Sequence, residues 1–233
     1  MGKLEREGCG LTVAVLKGRV FPEARDLLER AGLHGAGQLS DSTRLAWTLE
    51  GGWRYLLVRP HDVVTYVREG VADAGLVGKD VLLEDSAGVY EVLDLGIGVC
   101  RLSVAGPECH ASSWPQLLAA RGDDLKVASR YPRATRAHFA RRGYSPYVIP
   151  LSGAVELAPQ VGLADVIVDL VATGRTLREN HLVEYEVIDR ISTRLVVNTV
   201  SYRWKAAAVE ALCERLRRVC AGQEAVCRAP TQP

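Results

Sequence analysis

The 233-residue sequence predicts an α/β protein of two lobes joined by paired hinge strands, with parallel-rich sheets and helices on both sheet faces. Three observations carry this. Short β-branched runs alternate with helix-like stretches along the chain. The phrase Gly-x-Ala-Asp followed by a short apolar run occurs at Gly70–Asp73 and again at Gly162–Asp165, each time after one helix and before another. Two stretches, near residues 95–105 and 185–197, read as strands that carry the chain from one lobe to the other and back. The expected lobes are 1–103 plus 188–233 and 104–187, offering strand tips to a shared cleft. Such a hinge suits closure over two ligands.

Leu11–Leu16 reads as a buried strand, with Lys17-Gly18-Arg19 at its C-terminal tip. A helix follows over Val20–Ala31, with Pro22 in its first turn, where no N–H is needed, and Gly32 as its stop. Arg54–Val58 is the next strand; Arg59-Pro60 ends it ahead of a helix over Asp62–Glu69. Ligands of open α/β sheets bind beyond the carboxyl ends of strands, so Lys17, Arg19 and Arg59 either meet an anion or are solvated loop charges. A cation at a helix N-terminus is disfavoured unless an anion joins it. His61 reads as a surface or capping group. The apolar run ending at Gly78 is a strand, Lys79–Glu84 a helix, and Tyr90–Asp94 and Gly98–Ala105 two more strands. Asp73 and Asp165 open strands and are read as structural.

In the second lobe Trp114–Ala120 is a helix, Lys126–Ser129 a strand and Thr135–Arg142 a helix. Arg130, Arg133 and Arg136 crowd the intervening loop, either as a solvated face or as phosphate contacts. Tyr147–Pro150 is a strand, and Ser152-Gly153 start a helix over Ala154–Pro159 with Glu156 in its first turn, where it suits the helix dipole without any function. Val183–Val197 is one or two strands bent at Asp189; Trp204–Val219 is an amphipathic helix, and Gly222–Pro233 a frayed tail.

The stretch with most chemistry is Asp169–Asn180. A strand over Ala164–Val168 runs out at Asp169; Ala172-Thr173-Gly174-Arg175-Thr176 is a small, hydroxyl-rich turn; Leu177 onward is helical, with Thr176 and Glu179 spaced as a capping box. Free N–H groups at a helix start, a glycine that lets the backbone approach, two hydroxyls and a guanidinium suit a phosphate. The same features also describe an ordinary capped βα turn. The G-x-x-x-x-G-K-[ST] pattern of ATPase loops is absent.

Bulk properties exclude several classes. A net charge of +1 gives no basic footprint for nucleic acid. Apolar runs are far too short for a membrane span, and the acid-containing N-terminus does not read as a signal peptide, so a cytoplasmic protein is expected. The six cysteines, Cys9, Cys100, Cys109, Cys213, Cys220 and Cys227, are scattered, without C-x-x-C or zinc spacing, so no protein-held metal is expected. Cys213 and Cys220, seven residues apart, read as packing residues on one helix face.

Taken in order, several segments resemble the short-form ATP phosphoribosyltransferases. They are Leu16–Arg19, Leu57–Pro60 with Asp62-Val63, Ala72–Val81, Cys100–Leu102, Ala105–Pro107, Ser152–Pro159, and Gly162–Asp165 through Thr176-Leu177. The resemblance implies a two-lobe fold similar to type II periplasmic binding proteins. It implies attack of N1 of ATP on C1 of phosphoribosyl pyrophosphate (PRPP), with pyrophosphate leaving, and Mg²⁺ held mostly by that pyrophosphate. It further implies a homodimer that assembles with a regulatory subunit related to histidyl-tRNA synthetase. Positioning two anionic substrates needs N–H cradles, arginines and a carboxylate rather than a catalytic triad. By resemblance, Ala172, Thr173, Gly174, Arg175 and Thr176 hold the 5′-phosphate of PRPP, and Asp169 and Glu156 lie near the ribose, Asp169 as the catalytic carboxylate. Lys17, Gly18, Arg19 and Arg59 serve ATP and pyrophosphate, with Arg130 and Arg133 as lesser candidates. Asp41–Trp53 and His61 are less family-like. Ending soon after the Trp204–Val219 helix, the sequence is expected to lack the further regulatory domain of the long forms. The rival class is a non-catalytic two-lobe small-molecule-binding module; a periplasmic one needs a signal peptide, and an inactive paralogue need not keep the Asp169–Thr176 loop.

Overall fold

The computed structural model of the chain describes residues 10–33, 35–40, 44–49 and 52–227, with side chains up to residue 221. The first nine residues with Cys9, the tail beyond Cys227 and parts of Asp41–Trp53 lie outside the described residues. The chain forms two compact units, one from Met1–Gly98 with Ser192–Pro233 and one from Val99–Ile191.

The first unit begins with β1 (Thr12–Leu16), α1 (Phe21–Arg30), β2 (Ala46–Thr48), β3 (Arg54–Val58), α2 (Val63–Arg68), β4 (Ala74–Gly78), α3 (Lys79–Glu84) and β5 (Val89–Asp94). Strand β1 is almost wholly apolar because it is central: it pairs in parallel with both β3 and β4. Helix α1 buries Phe21, Ala24, Leu27 and Leu28, one face of a 3.6-residue period, and Gly32, at φ +66°, follows its end.

The second unit holds β6 (Cys100–Pro107), α4 (Trp114–Arg121), β7 (Lys126–Ser129), α5 (Pro132–Arg141), β8 (Tyr147–Pro150), β9 (Val166–Val171), α6 (Arg175–Glu179) and β10 (Leu182–Ile191). Its sheet runs β10-β6-β9-β7-β8; β9, β7 and β8 are parallel, and β6 is antiparallel to both β9 and β10. The chain then returns to the first unit with β11 (Thr193–Asn198), α7 (Thr199–Trp204) and α8 (Ala206–Cys227). Strand β11 enters antiparallel between β4 and β5, giving the order β2-β3-β1-β4-β11-β5. Asn198 caps α7 by accepting the N–H groups of Val200 and Ser201, each at 2.9 Å.

Several expected elements differ. The strand expected over Gly98–Ala105 runs from Cys100 to Pro107, wholly within the second unit's sheet. The break in the 183–197 region falls at Ser192, whose hydroxyl donates to Asp94 at 2.7 Å and whose carbonyl accepts Lys79 N–H at 2.9 Å. Asp189 sits instead beside a register irregularity that β10 absorbs. The helix expected over Ala154–Pro159 is one 3₁₀ turn, Val155–Leu157, because Ala154 is left-handed at φ +49° and Pro159 cuts off extension. Helix α5 starts earlier, at Pro132, which puts Arg133 in its first turn. The C-terminal helix is divided at Lys205, so Trp204 ends α7, and α8 runs on through the expected tail to Cys227.

Candidate active site

The stretch around Asp169 is built on β9. That strand continues past the expected end, because Leu170 and Val171 still pair with Leu102 and Arg101 of β6. Asp169 therefore lies inside the strand. Its carboxylate accepts the N–H of Leu170 at 2.8 Å, and its register partner across β6 is Ser103. Val171 before the loop and Leu177 after it are both buried in an apolar cluster with Ile167, Val155 and Leu182, so the loop is pinned at each end.

Between these anchors Ala172 and Thr173 are exposed, and Gly174 takes the left-handed conformation at φ +71° as the N-cap residue of α6. With Gly174 in that role the helix begins at Arg175, so Thr176 lies within it and no capping box forms. Glu179 instead meets Arg175 Nε at 2.7 Å, one turn back along the helix. The loop is braced from within: Arg178 Nη1 donates to the carbonyl of Thr173 at 3.2 Å, and Arg178 N–H to the carbonyl of Gly174 at 3.1 Å. A concavity of about 410 Å³ opens here, lined by Arg101, Thr173, Gly174 and Arg178 among others. Arg101 is already committed to a bidentate pair with Glu184 at 2.9–3.2 Å.

Glu156 reaches the same end of the unit through the 3₁₀ turn of Val155, which packs in the cluster that holds Val171 and Leu177. Arg130 follows the carboxyl end of β7, the parallel neighbour of β9. The turn that carries it is fixed by Ser129, whose Oγ donates to Val168 O at 2.8 Å and accepts Tyr131 N–H at 2.9 Å and Thr135 Oγ1 at 3.0 Å. Arg130, Arg133 and Arg136 are exposed.

In the first unit Lys17 N–H bonds to Val58 O at 2.9 Å, which draws together the carboxyl ends of β1 and β3. Lys17-Gly18-Arg19 and Arg59 thus occupy two adjacent parallel strand tips. Gly18, at φ +92°, turns the chain into α1, and its carbonyl accepts Phe21 N–H at 3.0 Å. Arg59 holds the N-cap position of the 3₁₀ turn Pro60–Asp62, and its side chain, like that of Arg19, is exposed.

A second concavity, of about 450 Å³, lies at the opposite, amino ends of β7 and β9 beside Lys126, Arg121 and Asp165. Its carboxylate is occupied with the N–H of Lys126 at 2.8 Å and Arg121 at 3.5 Å, which marks a structural corner. Strand polarity favours the carboxyl-end loop as the site.

Three contributors escape sequence reasoning. Arg178 carried no motif signal. Ser129 looked like an ordinary strand end. Ser103 is fully buried, yet its hydroxyl has no hydrogen-bond partner among the described residues. Leaving such a group unsatisfied costs about 1–3 kcal/mol. The signal for it was a polar residue within the buried run Leu102–Ala105. Gly106, by contrast, has a packing reason: a Cβ there would stand 2.7 Å from the ring of Tyr185, whose hydroxyl donates to Pro107 O at 2.6 Å and whose pKa burial pushes up to about 12.

Among the described residues no three His, Cys, Asp or Glu side chains gather as metal ligands, and no helix is long and apolar enough to cross a membrane.

The sequence model of HisG, ATP phosphoribosyltransferase, matches residues 59–218. A curated ATP phosphoribosyltransferase of Bacillus licheniformis is 47% identical over 220 residues, which is 94% of this chain and 99% of the relative. Among solved structures, the ATP phosphoribosyl transferase (HisG:HisZ) complex from Thermotoga maritima aligns with a TM-score of 0.73 at 34% identity, over 91% of this chain and 99% of that one. The periplasmic aliphatic sulphonate binding protein SsuA from Escherichia coli aligns at 0.58 and 12% identity, over 93% of this chain and 70% of its own. That likeness shows the type II periplasmic-binding-protein-like α/β fold alone. These similarities mean that the chain belongs to the ATP phosphoribosyltransferase family.

Proposed function

We propose that this chain transfers the phosphoribosyl group of PRPP to N1 of the ATP adenine, releasing pyrophosphate, the first step of histidine biosynthesis. The observation that carries this reading is the family match over nearly the whole chain, at 47% identity to a curated enzyme of that name.

Adenine N1 brings its own lone pair, so no strong general base is required, and the catalytic work is positioning and charge stabilisation. In this reading the exposed amides and hydroxyls of Ala172–Thr176 bind the 5′-phosphate of PRPP, with Gly174 keeping the backbone open to it. Arg175 adds charge to the same group. Asp169 and Glu156 meet the ribose, where the carboxylate of Asp169 orients the hydroxyls and offsets the positive charge that grows at C1. Lys17, Gly18, Arg19 and Arg59 take ATP and the departing pyrophosphate, so the first unit is the ATP side and the second the PRPP side; Arg130 and Arg133 assist. Mg²⁺ enters as part of the substrate, chelated by the pyrophosphate. The donor set of the loop, hydroxyls, amides and a guanidinium, suits phosphate oxygens rather than a hard cation. The reading also makes the protein cytoplasmic, where its substrates are. It includes a homodimer that assembles with a histidyl-tRNA-synthetase-like regulatory subunit; the Thermotoga HisG:HisZ complex supports the hetero-oligomer.

The test is pyrophosphate release from purified chain with ATP, PRPP and Mg²⁺. Release that requires both substrates is expected. A folded chain that shows no turnover, alone or with its regulatory subunit, overturns the enzyme reading; PRPP binding without turnover would favour a binding module.

A further inference from the structure

Two buried serines belong to the second unit's sheet, and they are treated in opposite ways. Ser129 is saturated, with bonds to Val168, Tyr131 and Thr135. Ser103, also fully buried, spends its hydroxyl on nothing among the described residues. Alanine would fill nearly the same space without burying an unpaired hydroxyl, so local stability gives no reason for serine here. Where a sequence breaks a packing rule of this kind, the reason is commonly functional.

Position supplies that reason. Ser103 and Asp169 are register partners on antiparallel β6 and β9, so their side chains leave the same face of the sheet. Cβ atoms of such partners stand about 4.5–5.5 Å apart, close enough for rotation about one χ1 to bring a hydroxyl against a carboxylate. Of the neighbours on this face, Ala105, Ile167 and Val171 are apolar, and Arg101, the register partner of Val171, is paired with Glu184. Asp169 leans on the N–H of Leu170, the next residue in its own strand.

We propose that Ser103 is a positioning residue for Asp169: its hydroxyl donates to the Asp169 carboxylate and fixes the orientation in which that carboxylate meets the ribose hydroxyls of PRPP. This rests on the reading of Asp169 as the ribose-side carboxylate. Ser103 itself does not touch substrate. The hydroxyl is held in reserve inside the sheet and is satisfied only when Asp169 turns from the N–H of Leu170 towards the ribose.

The experiment is a double-mutant cycle of Ser103→Ala and Asp169→Asn, read by kcat, by KM for each substrate and by thermal unfolding. Ser103→Ala is expected to keep or raise the unfolding temperature while lowering kcat/KM for PRPP about tenfold, with KM for ATP unchanged. In the Asp169→Asn background the same change is expected to have no further effect, and Ser103→Thr, which keeps the hydroxyl, recovers most of the loss. Wild-type kinetics for Ser103→Ala alongside an impaired Asp169→Asn overturn the proposal. So does an equal loss from Ser103→Ala in both backgrounds, or a loss that follows a drop in unfolding temperature. Full activity of Asp169→Asn is a different result, since it removes the ribose assignment itself and the proposal with it.

Discussion

Asp73 and Thr12 hold each other twice: the Asp73 carboxylate accepts the N–H of Thr12 at 2.9 Å, and the N–H of Asp73 donates to the carbonyl of Thr12 at 2.8 Å. The second unit repeats this with Asp165 and Lys126, at 2.8 and 2.9 Å. In each unit an Asp at the mouth of one strand closes the first rung of the parallel ladder with its neighbour, after a left-handed Gly70 or Gly162 has turned the chain. The Gly-x-Ala-Asp phrase is thus a strand-start clamp, and in each unit it aligns a strand whose far end carries candidate site residues.

The two clamps differ in burial, and so should their mutants. Asp73 is buried and also takes Ser201 Oγ at 2.7 Å and Lys205 Nζ at 2.8 Å. Asp73→Ala strands these donors and should cost about 3–5 kcal/mol. Lys205→Ala, at a more exposed and screened position, should cost only about 1 kcal/mol. Asp165→Ala should likewise cost about 1 kcal/mol. Urea denaturation of the three variants checks the order; equal losses for Asp73 and Asp165 would contradict it.

Acid should unfold the protein through two carboxylates. Burial works to raise Asp73, but hydrogen bonds from Lys205, Ser201 and the Thr12 N–H outweigh it and hold the carboxyl below its ordinary 3.8. Burial likewise opposes ionisation of Glu186, and the hydrogen bonds of His138, at 2.7 Å, and Arg142 hold it below 4.5. A depressed folded pKa gives stability that is fully present above the unfolded pKa and is lost as pH falls through the folded one. Stability from this source should therefore be flat above about pH 5 and fall on further acidification. Asp73→Asn and Glu186→Gln should each lower the plateau and flatten the fall, as read from urea midpoints across pH 3 to 7.

Gly174→Val asks a β-branched residue to adopt φ +71° with its Cβ 3.2 Å from Arg178 Nη1. The strain, of order 1–3 kcal/mol, is confined to the loop, so the fold should survive. PRPP affinity should fall about tenfold or more, because roughly 1.4 kcal/mol of lost cradle geometry is already a factor of ten. Calorimetric titration with PRPP decides it, and unchanged affinity would refute the cradle role.

Arg175 gives its Nε–H to Glu179 at 2.7 Å, so a bound phosphate shares or competes for its guanidinium with that carboxylate. Both side chains are largely exposed, so the pair contributes at most about 0.5 kcal/mol to the fold. Glu179→Gln should leave the unfolding temperature unchanged and keep or improve PRPP affinity, while Arg175→Ala should weaken it several-fold. Weaker binding by Glu179→Gln would mean that the ion pair shapes the loop instead.

Elements with clear punctuation at both ends were readable from the residues alone. β3, β7, β8 and α3 occupy Arg54–Val58, Lys126–Ser129, Tyr147–Pro150 and Lys79–Glu84, the ranges their apolar runs and flanking breakers indicate. Where one strand's length depends on its neighbour, local pattern was insufficient: β9 runs on past Asp169 because β6 is there to pair with it. Thr176 and Glu179 have the spacing of a capping box, but the left-handed Gly174 takes the cap first. Asp189 looks like a bend, yet β10 lies at a sheet edge and absorbs the irregularity. Around the site, residue types with recognisable chemistry could be nominated from sequence. The support given by Arg178 and Ser129 arises from hydrogen bonds across a turn and between strands, which leave no local trace.

The place of β11 bears on the protein's biogenesis. It fills the gap between β4 and β5, strands that end about a hundred residues before it begins. On the ribosome, residues 99–191 can close their sheet as one contiguous piece while the earlier-made unit still waits for its inner strand. Until Thr193–Asn198 emerges, β4 and β5 expose unpaired, largely apolar edges of the kind that chaperones cover and aggregates recruit. The unit begun first is the last to be finished, so the entry of β11 and the docking of α7 and α8 are the steps that decide whether it folds or aggregates.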